Sequence, residues 1–141
     1  MNITPLTNQE LFDRSATHLL TQMEQCQTVD PDDRVFCRYR NDAGQACAIG
    51  GVIPDELYNP LIENSAASSL VNGEFEIPEA RTKISEEIRD GLATLFRDVD
   101  PALLDRLQAI HDVDPPRTWR ERLDYLASRH YLDDSVLEPF T

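Results

Sequence analysis

Positive charge is what this chain most lacks: 26 acidic residues face 13 basic ones, and Lys83 is the only lysine. The formal net charge of −13 would be repelled by phosphate backbones and anionic membranes, which argues against direct binding of nucleic acid or a membrane surface. Long apolar runs are missing too. None approaches the roughly 20 residues that span a bilayer, and the opening MNITPLTNQE has neither the basic nor the apolar region of a secretory signal. Cytoplasm is therefore the expected location.

Cysteine is sparse and odd in number. Cys26, Cys37 and Cys47 cannot pair fully, and no secreted context favours a disulfide framework, so reduced thiols are expected. The short Cys-x-x-Cys clip of zinc sites is absent, which argues against a site built from the three cysteines and one histidine. With five glycines, the chain has no Walker loop, no Gly-x-Gly-x-x-Gly and no serine elbow. Asp30, Asp32 and Asp33 hint at calcium, but the sixth and twelfth positions counted from Asp30 hold Val35 and Asn41, where an EF-hand needs Gly and Glu. No cofactor, no metal and no catalytic residue is expected.

What is present is enough for one folded domain over residues 1–141, with 40% apolar residues. Thr7 and Glu10 form a capping-box pattern, with Leu6 and Leu11 as its hydrophobic staple. Phe12, Ala16, Leu19, Met23 and Cys26 then recur at helical spacing, predicting a helix from about Thr7 to Gln27. His18 lies beside that stripe, where a packed or surface histidine is the ordinary reading. Val29 to Asp33 reads as a turn, and Arg34 to Arg40 alternates like a half-buried strand.

Ala46-Cys47-Ala48-Ile49-Gly50-Gly51 has almost no side-chain bulk, so another backbone or a ligand can approach it closely. Gln45 to Ile53 could return as a strand with Arg38 opposite Cys47; a short helix is the preferred reading, because paired glycines weaken an isolated ribbon. Leu61 to Leu70 is polar and small, and reads as a broken helix or a loop. Beyond Pro78 three more helical stretches follow. Ile84, Ile88, Leu92 and Leu95 make one stripe. Asp100 caps the next, with Pro101 at its first position. Thr118 and Glu121 repeat the capping-box pattern before Trp119, Leu123 and Leu126. The expected fold is mainly α: about five helices around one core, with a short strand or β-hairpin inserted after the first helix.

The central block Cys37-x-Tyr39-Arg40, then Gly44-x-x-Cys47-Ala48-Ile49-Gly50-x-x-Ile53-Pro54-Asp55-x-x-Tyr58, resembles a group of small uncharacterised phage and bacterial proteins. Leu107-Gln108-x-Ile110-His111-Asp112 and Trp119 extend the likeness. The resemblance implies a phage or prophage setting in a bacterial host, and no assigned activity.

Charge is distributed unevenly. Residues 34–40 carry three arginines and no acid, whereas residues 41–80 carry seven acids and no base. The expected function is that of a non-enzymatic interaction protein. Its acidic surface, with Asp55, Glu56, Glu63, Glu74, Glu76 and Glu79, would meet a basic protein surface, with Arg38 and Arg40 as a small basic patch beside it. In the phage setting the sharpest form is an inhibitor that blocks a host nucleic-acid-handling (defence) complex. The alternatives are a small-ligand or thiol-chemistry domain centred on Cys37, Cys47 and His111, with Asp112 or Asp55 orienting the base, and a structural or homodimeric accessory protein. His111 and Asp112 are neighbours on one helix and are expected to point apart, with His111 capping the helix end.

Overall fold

The computed structural model of the chain describes residues 3–63, 65–72 and 84–140. It is mainly α, with one small antiparallel sheet. In order come α1 (Asn8–Gln22), β1 (Gln27–Val29), β2 (Val35–Cys37), 3₁₀ turns at Asp55–Leu57 and Pro60–Ile62, and the single turn α2 (Ser69–Asn72). They are followed by α3 (Glu86–Phe96), α4 (Pro101–Val113), α5 (Trp119–Arg129) and a closing 3₁₀ segment, Ser135–Phe140. No helix among the described residues is long and apolar enough to cross a membrane.

The capping box at α1 is closed in both directions: Glu10 N donates to Thr7 Oγ1 at 3.0 Å, and Thr7 N donates to Glu10 Oε1 at 3.1 Å. The apolar stripe behind it, Leu11, Phe12, Ala16, Leu19 and Leu20, is buried. α1 stops five residues short of the predicted end, because Met23 takes the left-handed conformation that caps it. A second stripe on α1 is polar and serves the fold. Ser15 Oγ donates to Ala48 O at 3.0 Å, the His18 ring bonds Ala46 O at 2.8 Å, and Gln22 grips both Ala46 O and Ala46 N. The small-residue segment is thereby pinned along the helix.

Freed from the helix, Gln27–Val29 becomes β1 and pairs with β2 in the register Gln27↔Cys37, Thr28↔Phe36, Val29↔Val35. The strand predicted at Arg34 to Arg40 thus has its partner upstream, through the Asp30–Asp33 turn, and is shorter than the alternation suggested. Of the alternative downstream pairing only the bridge Arg40↔Ala46 exists among the described residues, one position out of the register with Arg38 opposite Cys47. The short helix preferred for Gln45 to Ile53 does not form. Gly51 N donates to Cys47 O and Val52 N to Ile49 O, giving successive turns instead.

α3 opens on Ser85, whose side chain accepts from Ile88 N, and α4 opens on Asp100 with Pro101 in its first turn. The second capping box is absent. Thr118 Oγ1 donates back to Pro115 O at 2.8 Å and caps nothing. Trp119 is fully buried and spends its indole N–H on Asp114 O at 2.9 Å. Around it a core runs from Leu6 to Leu137 and draws on every long helix.

Candidate functional site

The block from Cys37 to Tyr58 folds onto one buried carboxylate. Glu63 Oε1 accepts from Tyr39 N at 2.9 Å, and Oε2 accepts from Arg40 N at 3.2 Å and from the Tyr58 hydroxyl at 2.6 Å. Arg38 Nε lies 3.8 Å away. Glu63, expected on the partner-binding surface, is therefore turned inward. It satisfies two consecutive backbone amides that the short β2 leaves without a sheet partner.

Arg40 is spent internally as well. Its guanidinium reaches Asp55 at 2.7 Å, bonds the carbonyls of Gly50 and Ile53, and lies 4.8 Å over the Tyr58 ring. Arg38 is half-buried beside Glu63. Arg40 is thus a clamp on the 50–63 segment, and Arg38 lies against Glu63, so both arginines expected to meet a partner are engaged within the fold. Of the predicted acidic residues, Asp55 and Glu56 are exposed, although Asp55 is held by Arg40. Glu74, Glu76 and Glu79 lie outside the described residues.

The fold brings Cys37, His111 and Asp112 together, with their donor atoms within 4.8 Å of one another. Sequence adjacency had suggested that His111 and Asp112 diverge, yet His111 Nδ1 lies 2.7 Å from Asp112 Oδ1. Nor does His111 cap the end of its helix. It is fully buried, stacked on Trp119 at 5.8 Å, and its Nε2 accepts from Cys26 N–H at 2.8 Å. That bond assigns the tautomer: Nε2 carries the lone pair, and Nδ1–H donates to Asp112.

Two chemical consequences follow. A base acting on Cys37 would need a free imidazole lone pair, and His111 has already given its own to a backbone amide. A metal on Nδ1 would require the proton on Nε2, facing the Cys26 N–H donor to donor. The triad as folded is a strut between the β1–β2 hairpin and the end of α4. Gln25 strengthens it by donating to His111 O at 2.9 Å. Nothing in the sequence reported that bond, since it joins residues 86 apart.

The thiols point the same way. Burial, with Glu63 nearby, pushes the Cys26 thiol up to about 11. Burial and then the Asp112 charge raise Cys37, and full burial raises Cys47 further. Arg38 lowers Cys26 only as a lesser influence. Each of these groups holds its proton longer in the folded chain than in the unfolded one. The Cys26 contribution to stability is complete below about pH 9, the ordinary thiol value, and is lost as pH rises through about 11; those of Cys37 and Cys47 are lost in the same direction. A melting temperature that holds steady from neutrality to about pH 9 and then declines is expected. Cys26→Ala should flatten that decline, which calorimetry across alkaline buffers will show.

Cys37 also lines a cleft of about 160 Å³ with Arg38, Ser65, Ala67, Gln108 and Asp112. A separate apolar groove of about 290 Å³ lies between α4 and α5, lined by Ile110, Val113 and Leu126, with Arg106 and the Arg122–Asp114 pair at its edge.

No family model, curated protein or solved structure matches the chain. The site has to be read from its own geometry. That geometry separates two kinds of charge: buried or half-buried groups that hold the central block together, and an outer layer of carboxylates. η1, the 3₁₀ turn Asp55–Leu57, packs on α3 by setting Leu57 against Gly91. Glu56 and Asp90, each one residue from that contact, are exposed, as are Glu86 and Glu87 at the start of α3.

Proposed function

We propose that this chain is a non-enzymatic interaction protein that presents carboxylates to a basic groove on a protein partner and blocks what that groove normally binds. One observation carries the reading. Among the described residues Glu63 is the only buried acid, while Arg38 and Arg40 are drawn inward to hold the fold, so negative charge is what the surface displays. Carboxylates on a folded helical frame can take the place of phosphates in a basic groove at no further ordering cost. With the phage-like central block, the most specific form is a phage-encoded inhibitor of a host nucleic-acid-handling or defence complex, acting in the bacterial cytoplasm.

The test is capture of partners from a bacterial host extract, repeated at rising salt. Binding that falls away between about 0.1 and 0.5 M salt fits the reading, because charges beyond a Debye length are then screened. Charge-neutral swaps at Glu56, Glu74, Glu76 and Glu79 should weaken it by about tenfold together. Binding that survives both treatments contradicts it.

A small-ligand reading has one observation in its favour, the cleft beside Cys37, Arg38 and Gln108. Cys47→Ser separates thiol chemistry from blocking: the blocker keeps its affinity, whereas a thiol enzyme loses turnover. A homodimeric accessory protein would show itself as an assembly by light scattering in the absence of any partner.

A further inference from the structure

The β1–β2 hairpin exposes apolar side chains on both of its faces. Val29 and Val35, paired across the ribbon, are 60% and 56% exposed, and Phe36, on the opposite face, is 45% exposed. Three residue pairs make a ribbon too short to be stable alone. Its base, however, is anchored: Cys26 N–H is held by His111, Arg38 N donates to Cys26 O at 2.9 Å, and Asn41 Nδ2 donates to Gln27 O at 2.9 Å. An anchored base fixes the direction of the ribbon before any partner arrives, which lowers the ordering cost of binding.

The tip is acidic. Among the described residues Asp30, Asp32 and Asp33 are answered by Arg34 alone, which pairs with Asp30 at 3.3 Å and with Asp32 at 3.4 Å. Among the described residues Asp33 has no ion pair. Apolar flanks beneath a negatively charged tip have the make-up of an interface: a centre that gains by leaving water, and a rim that selects partners by charge. The α4–α5 groove lacks such an acidic surplus, since Arg106 lines it and its one carboxylate, Asp114, is paired with Arg122 at 3.8 Å.

We infer that the β1–β2 hairpin is the docking element, and that its occupant is a partner segment whose apolar residues alternate with lysine or arginine. This deepens the proposed function, on which it rests, by naming the part of the surface that makes contact.

The probe is a short peptide of alternating leucine and lysine, titrated into the ¹⁵N-labelled full chain at about 50 mM salt. Shift changes concentrated on Val29 to Phe36 are expected. Val35→Thr with Phe36→Thr should weaken binding by about tenfold, because threonine keeps the strand preference and removes the apolar surface. Asp32→Asn with Asp33→Asn should weaken it several-fold and make it less sensitive to salt. Glu86→Gln, Glu87→Gln and Asp90→Asn on α3 should leave it within about twofold. Should the α3 changes weaken binding while the hairpin changes do not, the inference is wrong and the acidic-surface reading survives. Absence of peptide binding even at low salt takes both down. Threonine variants that turn a dimer into a monomer in sedimentation would identify the occupant as a second copy, which also overturns the inference. Circular dichroism of each variant confirms that the fold is retained.

Discussion

Glu63→Ala is expected to cost about 3–5 kcal/mol of folding stability, the range for removing one partner of a buried charged network. The loss arises in three places. Tyr39 N and Arg40 N lose the carboxylate that accepts from them, the Tyr58 hydroxyl loses a short bond, and the half-buried Arg38 loses its counter-charge. A hydrogen bond to a charged group contributes about 1.5–3 kcal/mol, but the three act as one unit and do not add. Glu63→Gln should fall between the variant and the parent. It retains an acceptor oxygen for one amide and turns an NH₂ donor toward another N–H donor. Urea unfolding of both variants measures this. An alanine variant within about 1 kcal/mol of the parent would mean that the central block is held by something else.

Gly50→Ala is the second large effect. A Cβ at this position would lie 2.0 Å from the Tyr39 carbonyl oxygen and 2.7 Å from its carbon. Tyr39 cannot retreat. Its N is bound to Glu63, its carbonyl accepts from Cys47 N at 3.0 Å, and its hydroxyl donates to Ser65 O at 2.6 Å. The backbone must therefore shift, and a loss of about 4 kcal/mol or more is expected, at the upper end of single substitutions. Gly44→Ala is the control. Gly44 has φ of +84° and open space around it, so the cost there is only the conformational one of about 1–2 kcal/mol. Equal losses at the two positions would contradict the close approach of Gly50 to Tyr39.

Local rules made the helices legible. The Thr7–Glu10 box, the Asp100–Pro101 start and the apolar stripes each depend on residues within one or two turns, and each is present in the fold. The block of small residues was also readable as a place of close approach, and Gly50 against Tyr39 realises it. The hairpin partner was not legible. Met23 and Cys26 continue the helical spacing, and only the left-handed cap at Met23 releases Gln27–Val29 to pair with β2. Glu63 was misplaced for a related reason. A lone acid in a polar stretch looks solvated until tertiary structure brings two orphaned amides to it. His111 and Asp112 met because side-chain rotamers can close a gap that helix position alone leaves open. The polar stripe Ser15, His18, Gln22 was not read from the sequence, because its purpose depends on the backbone of Ala46–Ala48 lying alongside.

The central claim is that surface carboxylates of this chain occupy a groove made for a polyanion. Its most direct measurement is a competition: a captured partner is loaded with fluorescent duplex nucleic acid, and the protein is titrated in at several salt concentrations. The account predicts mutual exclusion, with an affinity that falls steadily as log salt rises. A ternary complex in which protein and nucleic acid sit on the partner together, at an affinity indifferent to salt, would contradict it.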